Sequence, residues 1–540
     1  MATYNEEIKK EVRETSISTA IRRLTEERTS STLVPREYLR NVWKWLEING
    51  NEYDRKENSF LKEETILRWE NFYDSIVTKK KASELKVAYL CGPNPLNDLD
   101  VLISKGILPE NVWAFESEEQ AYKEAVAHAL KSKYPFIKIF KIDIKTFIDN
   151  SPLKFDLIYL DFCGPIFNRS KQKNLETLAV IAKKNALNSP GVILTNFSLP
   201  TKKQDENGFK LIASLTADYL YPKAFVEDHN NDNNTNDGPI TWSKTENEWR
   251  EIVSSNLSDY YGQFITRLMM DMFSYLIPLD RFMNNEQYLK MFFKIKDNTS
   301  KKTRAPFVTK VKSLFTFTEK GKGGDVITDP SFFTFSYSFG LYLGYFEEKI
   351  FYEKEKVNFL NQLSTFSKNG NDFFKKVSAY QYLVGQGNDQ NWFSSERIKN
   401  IEKNWKNSNG HIFCDVFLFH QIKEHLIGQI SIPYHVNVEK SKRWQYKAKE
   451  TEMYMDMILF DNCRYLYDWM PTMDMVEENL LNREQNLSFR YVLDAMGKHN
   501  RWYQDELFYG TAVIDTGVKG FEAKIFEKRI TIKKKLSFNV

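Results

Sequence analysis

The chain has 540 residues, 42% of them hydrophobic and 15% aromatic, with a formal net charge of +4. Its length predicts two or three domains, its apolar content is ample for sizeable cores and excludes a disordered chain, and so mild a charge does not by itself argue for a polyanion binder. Four cysteines, at 91, 163, 414 and 463, are too few and too scattered for a disulfide framework and predict a reducing compartment. The start, Met1-Ala-Thr-Tyr-Asn-Glu-Glu7, lacks the apolar segment of a signal peptide, and no run of about 18 apolar residues occurs anywhere. The expectation is a cytoplasmic protein without a membrane partner.

Residues 1–82 read as a helical segment, with Ile21, Leu24, Leu39, Val42, Trp43 and Leu46 at helical spacing and Pro35 suited to a helix start. From 83 to 228 the pattern turns to short apolar strands alternating with helices, the mark of an α/β domain. The first strand, Lys86-Val-Ala-Tyr-Leu-Cys91, is broken by Gly92-Pro93-Asn94-Pro95. The second, Val112–Phe115, stops at Glu116, and the third, 136–142, stops at Asp143, with Phe147 four residues on. A fourth, Phe155–Leu160, ends in Asp161-Phe162-Cys163-Gly164-Pro165, and a fifth spans Gly191–Asn196.

Polar residues at successive strand ends converge in an open α/β sheet, because ligands bind in the crevice beyond the carboxyl ends of the strands. Glu116 lies 24 residues beyond Gly92, close to the roughly 20 that set an acid on a ribose in dinucleotide folds. The loop has one glycine where a dinucleotide loop has three, and two prolines remove backbone donors from the place a phosphate would need them. The pattern therefore favours a ribose-bearing cofactor without phosphate, S-adenosylmethionine. Each residue also has a plain structural reading: Gly92-Pro93 as a turn, Glu116 as the start of an acidic helix, Asp143 as the cap of a helix from Ile144 to Ile148.

On these residues, the stretch from 86 to about 200 resembles the class I S-adenosylmethionine-dependent methyltransferases, whose fold is Rossmann-like. The resemblance implies that Cys91, Gly92 and Pro93 form the loop under the methionine part of the cofactor, Glu116 binds the ribose hydroxyls, and Asp143 with Ile144 meets the adenine. It sets Asp161, Phe162 and Cys163 beside the methyl acceptor, with Asp161 also bordering the cofactor. The family's usual loop is an acid followed by several glycines, whereas this chain has Tyr89-Leu-Cys-Gly-Pro93. Asp161-Phe-Cys-Gly-Pro165 is similar in character to the motif with which amino methyltransferases hold a planar amine, and Phe162 is suited either to stacking on a base or to the core. Cys163 is either a nucleophile toward a pyrimidine ring or a small buried thiol.

The rest of the chain resembles no family. A polar segment at 229–239 reads as a linker, and 240–320 as helices with a hairpin at 290–296 and 308–317 that would supply the sheet's last two strands. Residues 321–540 read as a mixed α+β domain for substrate recognition or a protein partner, opening on a strand-like Phe332–Gly340. His411, His420, His425 and His435, with Cys414 and Asp415, lack the paired spacing of a zinc site, so no metal is expected. Basic clusters at 301–312 and 528–535, and the interleaved Lys442-Arg-Trp-Gln-Tyr-Lys447, are candidate contacts for nucleic acid. The function expected is methyl transfer to a nucleobase or another planar nitrogen; methylation of a protein or small molecule, or a scaffold that has lost turnover, are the alternatives.

Overall fold

A computed structural model describes residues 7–166, 173–199, 201–203, 205–220, 246–283, 285, 287, 291–292, 395–408, 412–413, 419–478, 482–500 and 512–533. Four helices open the chain: α1 (Glu7–Leu24), α2 (Tyr38–Asn49), α3 (Glu52–Asn58) and α4 (Glu63–Ile76). Strand–helix alternation follows through β1 (Val87–Leu90), α5 (Leu96–Ser104), β2 (Val112–Phe115), α6 (Glu119–Leu130), β3 (Lys138–Phe140), α7 (Ile144–Asn150), β4 (Phe155–Asp161), α8 (Lys173–Lys183) and β5 (Leu187–Ser198). Helices α9 (Glu206–Leu220), α10 (Glu246–Ser255), α11 (Leu257–Asp271) and α12 (Ile277–Met283) come next. The described chain leaves at Phe292 and returns at Ser395, whose N–H donates to Phe292 O at 2.9 Å. It continues through α13 (Glu396–Ser408), α14 (Phe419–Ser431), β6 (His435–Val436), β7 (Lys442–Ala448), β8 (Thr451–Asp461), α15 (Arg464–Tyr467), α16 (Met473–Glu478), α17 (Arg483–Asn500) and β9 (Ile530–Ile532).

These strands form one nine-stranded, mostly parallel sheet ordered β3-β2-β1-β4-β5-β8-β7-β9, with β6 also paired to β8. The chain winds outward from β1 to β3, then crosses back to set β4 against the other side of β1. The β1/β4 boundary is thus the topological switch point where such sheets open a crevice. Burial on both faces explains the near-continuous apolar runs of β1, β4 and β5. Ala88, Ile158, Leu160 and Ile193 face one core, packed by α7 to α14. Val87, Tyr89, Leu157, Tyr159, Val192 and Leu194 face the other, packed by α1 and α5. A third core joins α2 and α4 to α15 and α17.

Beyond β5 the expected hairpin at 290–296 and 308–317 does not supply the next strands. Met291 and Phe292 are helical, and most of that stretch lies outside the described residues. The neighbour of β5 is instead β8, antiparallel from Gly191↔Phe460 to Ser198↔Met453, followed by β7. The carboxyl-terminal block thus contributes its strands to the same sheet as β1–β5. The buried Arg529 pins β9 there, donating to Asp456 Oδ1 (2.7 Å) and Gly262 O (3.0 Å). The polar linker at 229–239 and the aromatic run at 332–340 lie outside the described residues.

Candidate functional site

At the carboxyl end of β1 the backbone turns sharply at Gly92, whose φ of +56° lies in the left-handed region that favours glycine. A Cβ built there would meet nothing within 4 Å, so the space over this turn is open. The loop is held from both sides. Tyr89 Oη donates to Pro95 O (3.0 Å), and His128 Nδ1 of α6 lies 2.8 Å from Pro93 O. Cys91 is buried, and burial, with the nearby Glu116 carboxylate, pushes its thiol up to about 12.

The two neighbouring strand ends carry the carboxylates. Glu116 is half-buried directly after β2, its N–H donating to Phe140 O (3.1 Å) and its Oε1 accepting from Glu118 N (2.8 Å). Asp143 caps α7, accepting from Lys145 N at 2.8 Å, so the helix-cap reading of this residue holds as geometry. Neither acid makes an ion pair with another described residue, whereas Glu119 and Glu176 nearby do. Ile144 is 2% exposed and packs into the core, which leaves only its backbone to meet a ligand. Phe115, Phe140 and Phe147 pack ring to ring, with centroids 5.0–5.5 Å apart, in the residues flanking both acids.

The end of β4 is organised differently. Asp161 is paired with Lys9 Nζ of α1 at 3.0 Å and accepts from Cys163 Sγ (3.0 Å) and Asn196 Nδ2 (2.9 Å). Lys9 also reaches Cys163 Sγ at 3.2 Å, and Asn196, at the end of β5, donates to Tyr446 Oη of β7 at 2.9 Å. Burial works to raise the Asp161 carboxyl, but Lys9 and the two donors outweigh it and hold the group below the usual carboxylate range. One helical turn from Lys9, Arg13 pairs with Asp98 of α5 at 2.6 Å. Burial pushes the Asp98 carboxyl up to about 7 against the pull of Arg13. The first turns of α1, which otherwise packs on the sheet face, are thus held at this end of the sheet by Lys9 against Asp161 and Arg13 against Asp98.

Phe162 stacks on Phe197 (5.2 Å, 25°) and packs against the core, the second of the two roles open to it. Cys163 stands at a positive φ of 52°. The residue is exposed, so it is not a buried thiol, yet desolvation by its immediate neighbours and the adjacent Asp161 push the thiol up to about 12, the opposite of what an attacking thiolate requires. Lys9, Arg13 and Asp98 were not singled out from sequence, Asn196 entered only as the end of a strand, and Tyr446 only within the segment at 442–447. The one available signal was the spacing of Lys9 and Arg13, four residues apart and so on one helical face.

The interleaved segment at 442–447 is strand β7, not a surface. Arg443, Trp444 and Tyr446 are 1–2% exposed, Lys442 pairs with Glu527, and Lys447 pairs with Glu450. Of the tail cluster, Arg529 is buried, while 534–535 and the whole of 301–312 lie outside the described residues. His425 and His435 are buried and stack on Tyr467 with centroids 5.3 and 5.9 Å away, and burial pushes them down to about 3 and about 4. His411, Cys414 and Asp415 lie outside the described residues, among which no group of three or more His, Cys, Asp or Glu is placed to hold a metal ion.

No family model matches the chain, and a search of curated proteins finds no match either. No described helix is long and apolar enough to cross a membrane. Fold and site together define a doubly wound α/β protein with two carboxylates at adjacent strand ends beside its switch point, each accepting from a nearby backbone N–H and neither ion-paired with another described residue.

Proposed function

We infer that the protein is an S-adenosylmethionine-dependent methyltransferase acting on a nucleobase or another planar nitrogen of a nucleic acid. The observation that carries this reading is the succession of an open glycine turn after β1, Glu116 after β2 and Asp143 after β3, in three adjacent parallel strands, with neither acid ion-paired to another described residue. Gly92 would accept the methionine part, Glu116 the ribose hydroxyls and Asp143 the adenine amine, with Phe147 beside the ring. Beyond β5, the antiparallel pair β8 and β7 lies at the edge where the class I resemblance calls for a closing hairpin, although it comes from a different part of the chain, and this supports the reading. The cofactor, when bound, supplies an electrophilic methyl group, and the chain's own task is to align the acceptor with it, which needs proximity more than a strong base. A base must be unstacked to enter such a crevice, so single-stranded acceptors are favoured. Because Lys9 occupies Asp161, the acceptor reaches that carboxylate only after the first turns of α1 shift.

That same closure favours a second reading, a scaffold with this architecture but no turnover, to which the atypical Cys91-Gly92-Pro93 loop also lends support. Incubation with methyl-labelled S-adenosylmethionine and, separately, single-stranded RNA, single-stranded DNA and protein substrates distinguishes them. Label is expected in nucleic acid. Label in protein alone would move the substrate class, and label in none, with cofactor bound, would favour the scaffold.

A further inference from the structure

All five parallel strands β1–β5 start at one rim of the sheet, the end opposite the crevice. The stretches entering them, 77–86, 105–111, 131–137, 151–154 and 183–186, hold ten lysines and only two acids, Glu84 and Glu110, while the whole chain is +4. This charge is therefore concentrated, not a sample of the chain's average. Two of the lysines are neutralised by adjoining elements, Lys80 by Asp156 and Lys184 by Asp149. The other eight, including Lys79, Lys86, Lys105, Lys131 and Lys133, are exposed and make no ion pair with another described residue. With neighbouring strands about 4.8 Å apart, five strands spread these charges over an arc of about 19 Å.

The rim also carries the most exposed large apolar side chain among the described residues, Phe136 at 95%, between Lys133 and Lys138. Lysines on an edge strand commonly guard it against pairing. That accounts for Lys138, which lies 3.8 Å over the Trp113 ring. It accounts neither for lysines in the turns before β1, β2 and β4, inside the sheet, nor for an aromatic ring standing open among them. An extended set of cations with one open ring matches a linear polyanion whose bases are free to stack.

We propose that the amino-terminal rim of the sheet, centred on Lys131, Lys133 and Phe136, binds single-stranded nucleic acid. The surface is separate from the crevice and does not rest on the methyl-transfer reading. Fluorescence anisotropy of labelled single-stranded RNA and DNA with the full chain, without S-adenosylmethionine, tests it. Binding is expected to weaken at least tenfold between about 50 and 200 mM salt. Lys131→Glu/Lys133→Glu is expected to lower affinity at least tenfold and to flatten that salt dependence. Phe136→Ala is expected to lower affinity about tenfold while leaving the salt dependence intact. All three positions are exposed or in turns, so unchanged thermal melting is expected of both variants and checks that they fold. Absence of binding at low salt, binding indifferent to both variants, or capture by phosphatidylserine vesicles in preference to the oligonucleotides would overturn the proposal.

Discussion

Asp161→Ala is expected to destabilise the protein by about 3–5 kcal/mol, the usual cost of leaving one member of a buried ion pair alone. The side chains of Lys9 and Asp161 are 12% and 11% exposed, so the stranded ammonium would find little water, and the donors Cys163 and Asn196 would lose their acceptor as well. Lys9→Met is expected to cost less, because Asp161 keeps those two hydrogen bonds. The double variant should lie nearer the wild type than the sum of the two, since it removes both charges together. Urea denaturation of the four proteins measures this, and an Asp161→Ala midpoint equal to wild type would show that the pair does not fasten α1. The sign of the pH dependence follows. Asp161 is held below its unfolded value, so its stabilisation is complete at neutral pH and is lost as pH falls through the folded value, below about 4. The gap between wild type and Asp161→Ala should close on acidification. Asp98, pushed up to about 7, runs the other way, its contribution being lost as pH rises from about 4 toward 7.

Glu116→Ala is expected to weaken S-adenosylmethionine binding by about 10- to 100-fold, the effect of losing charge-assisted hydrogen bonds worth roughly 1.5–3 kcal/mol. The fold should be untouched, because the side chain is half-buried and, among the described residues, its carboxylate accepts only from Glu118 N. This combination separates a binding role from the structural one. Glu116 as a mere helix lead-in predicts equal affinities, and a large loss of melting temperature would mean that its carboxylate props the loop instead.

The parallel half of the sheet was legible in the chain because its strands are buried on both faces and end in abrupt polar residues. Val112–Phe115 matches expectation, Phe155–Asp161 extends it by one residue, and Gly191–Asn196 lies within a longer strand at 187–198. The third strand is shorter than expected, and Phe136, assigned to it, stands in solvent because the pairing with β2 begins at Lys138. The antiparallel half was missed for a physical reason. In β7, Arg443 is buried among aromatics and made tolerable by donating to Glu527 O, 84 positions away, a partner that no local pattern reveals. The same holds for the strand ends: the lysine that meets Asp161 lies 152 residues upstream, so the convergence of strand ends and a helical segment at the start of the chain were readable while the pairing of that helix with Asp161 was not.

Calorimetric titration of the purified protein with S-adenosylmethionine, and in parallel with its demethylated product, tests the central claim most directly. The arrangement of Gly92, Glu116 and Asp143 predicts micromolar binding of at least one of the two; heat of dilution alone with both would contradict a cofactor site at these strand ends.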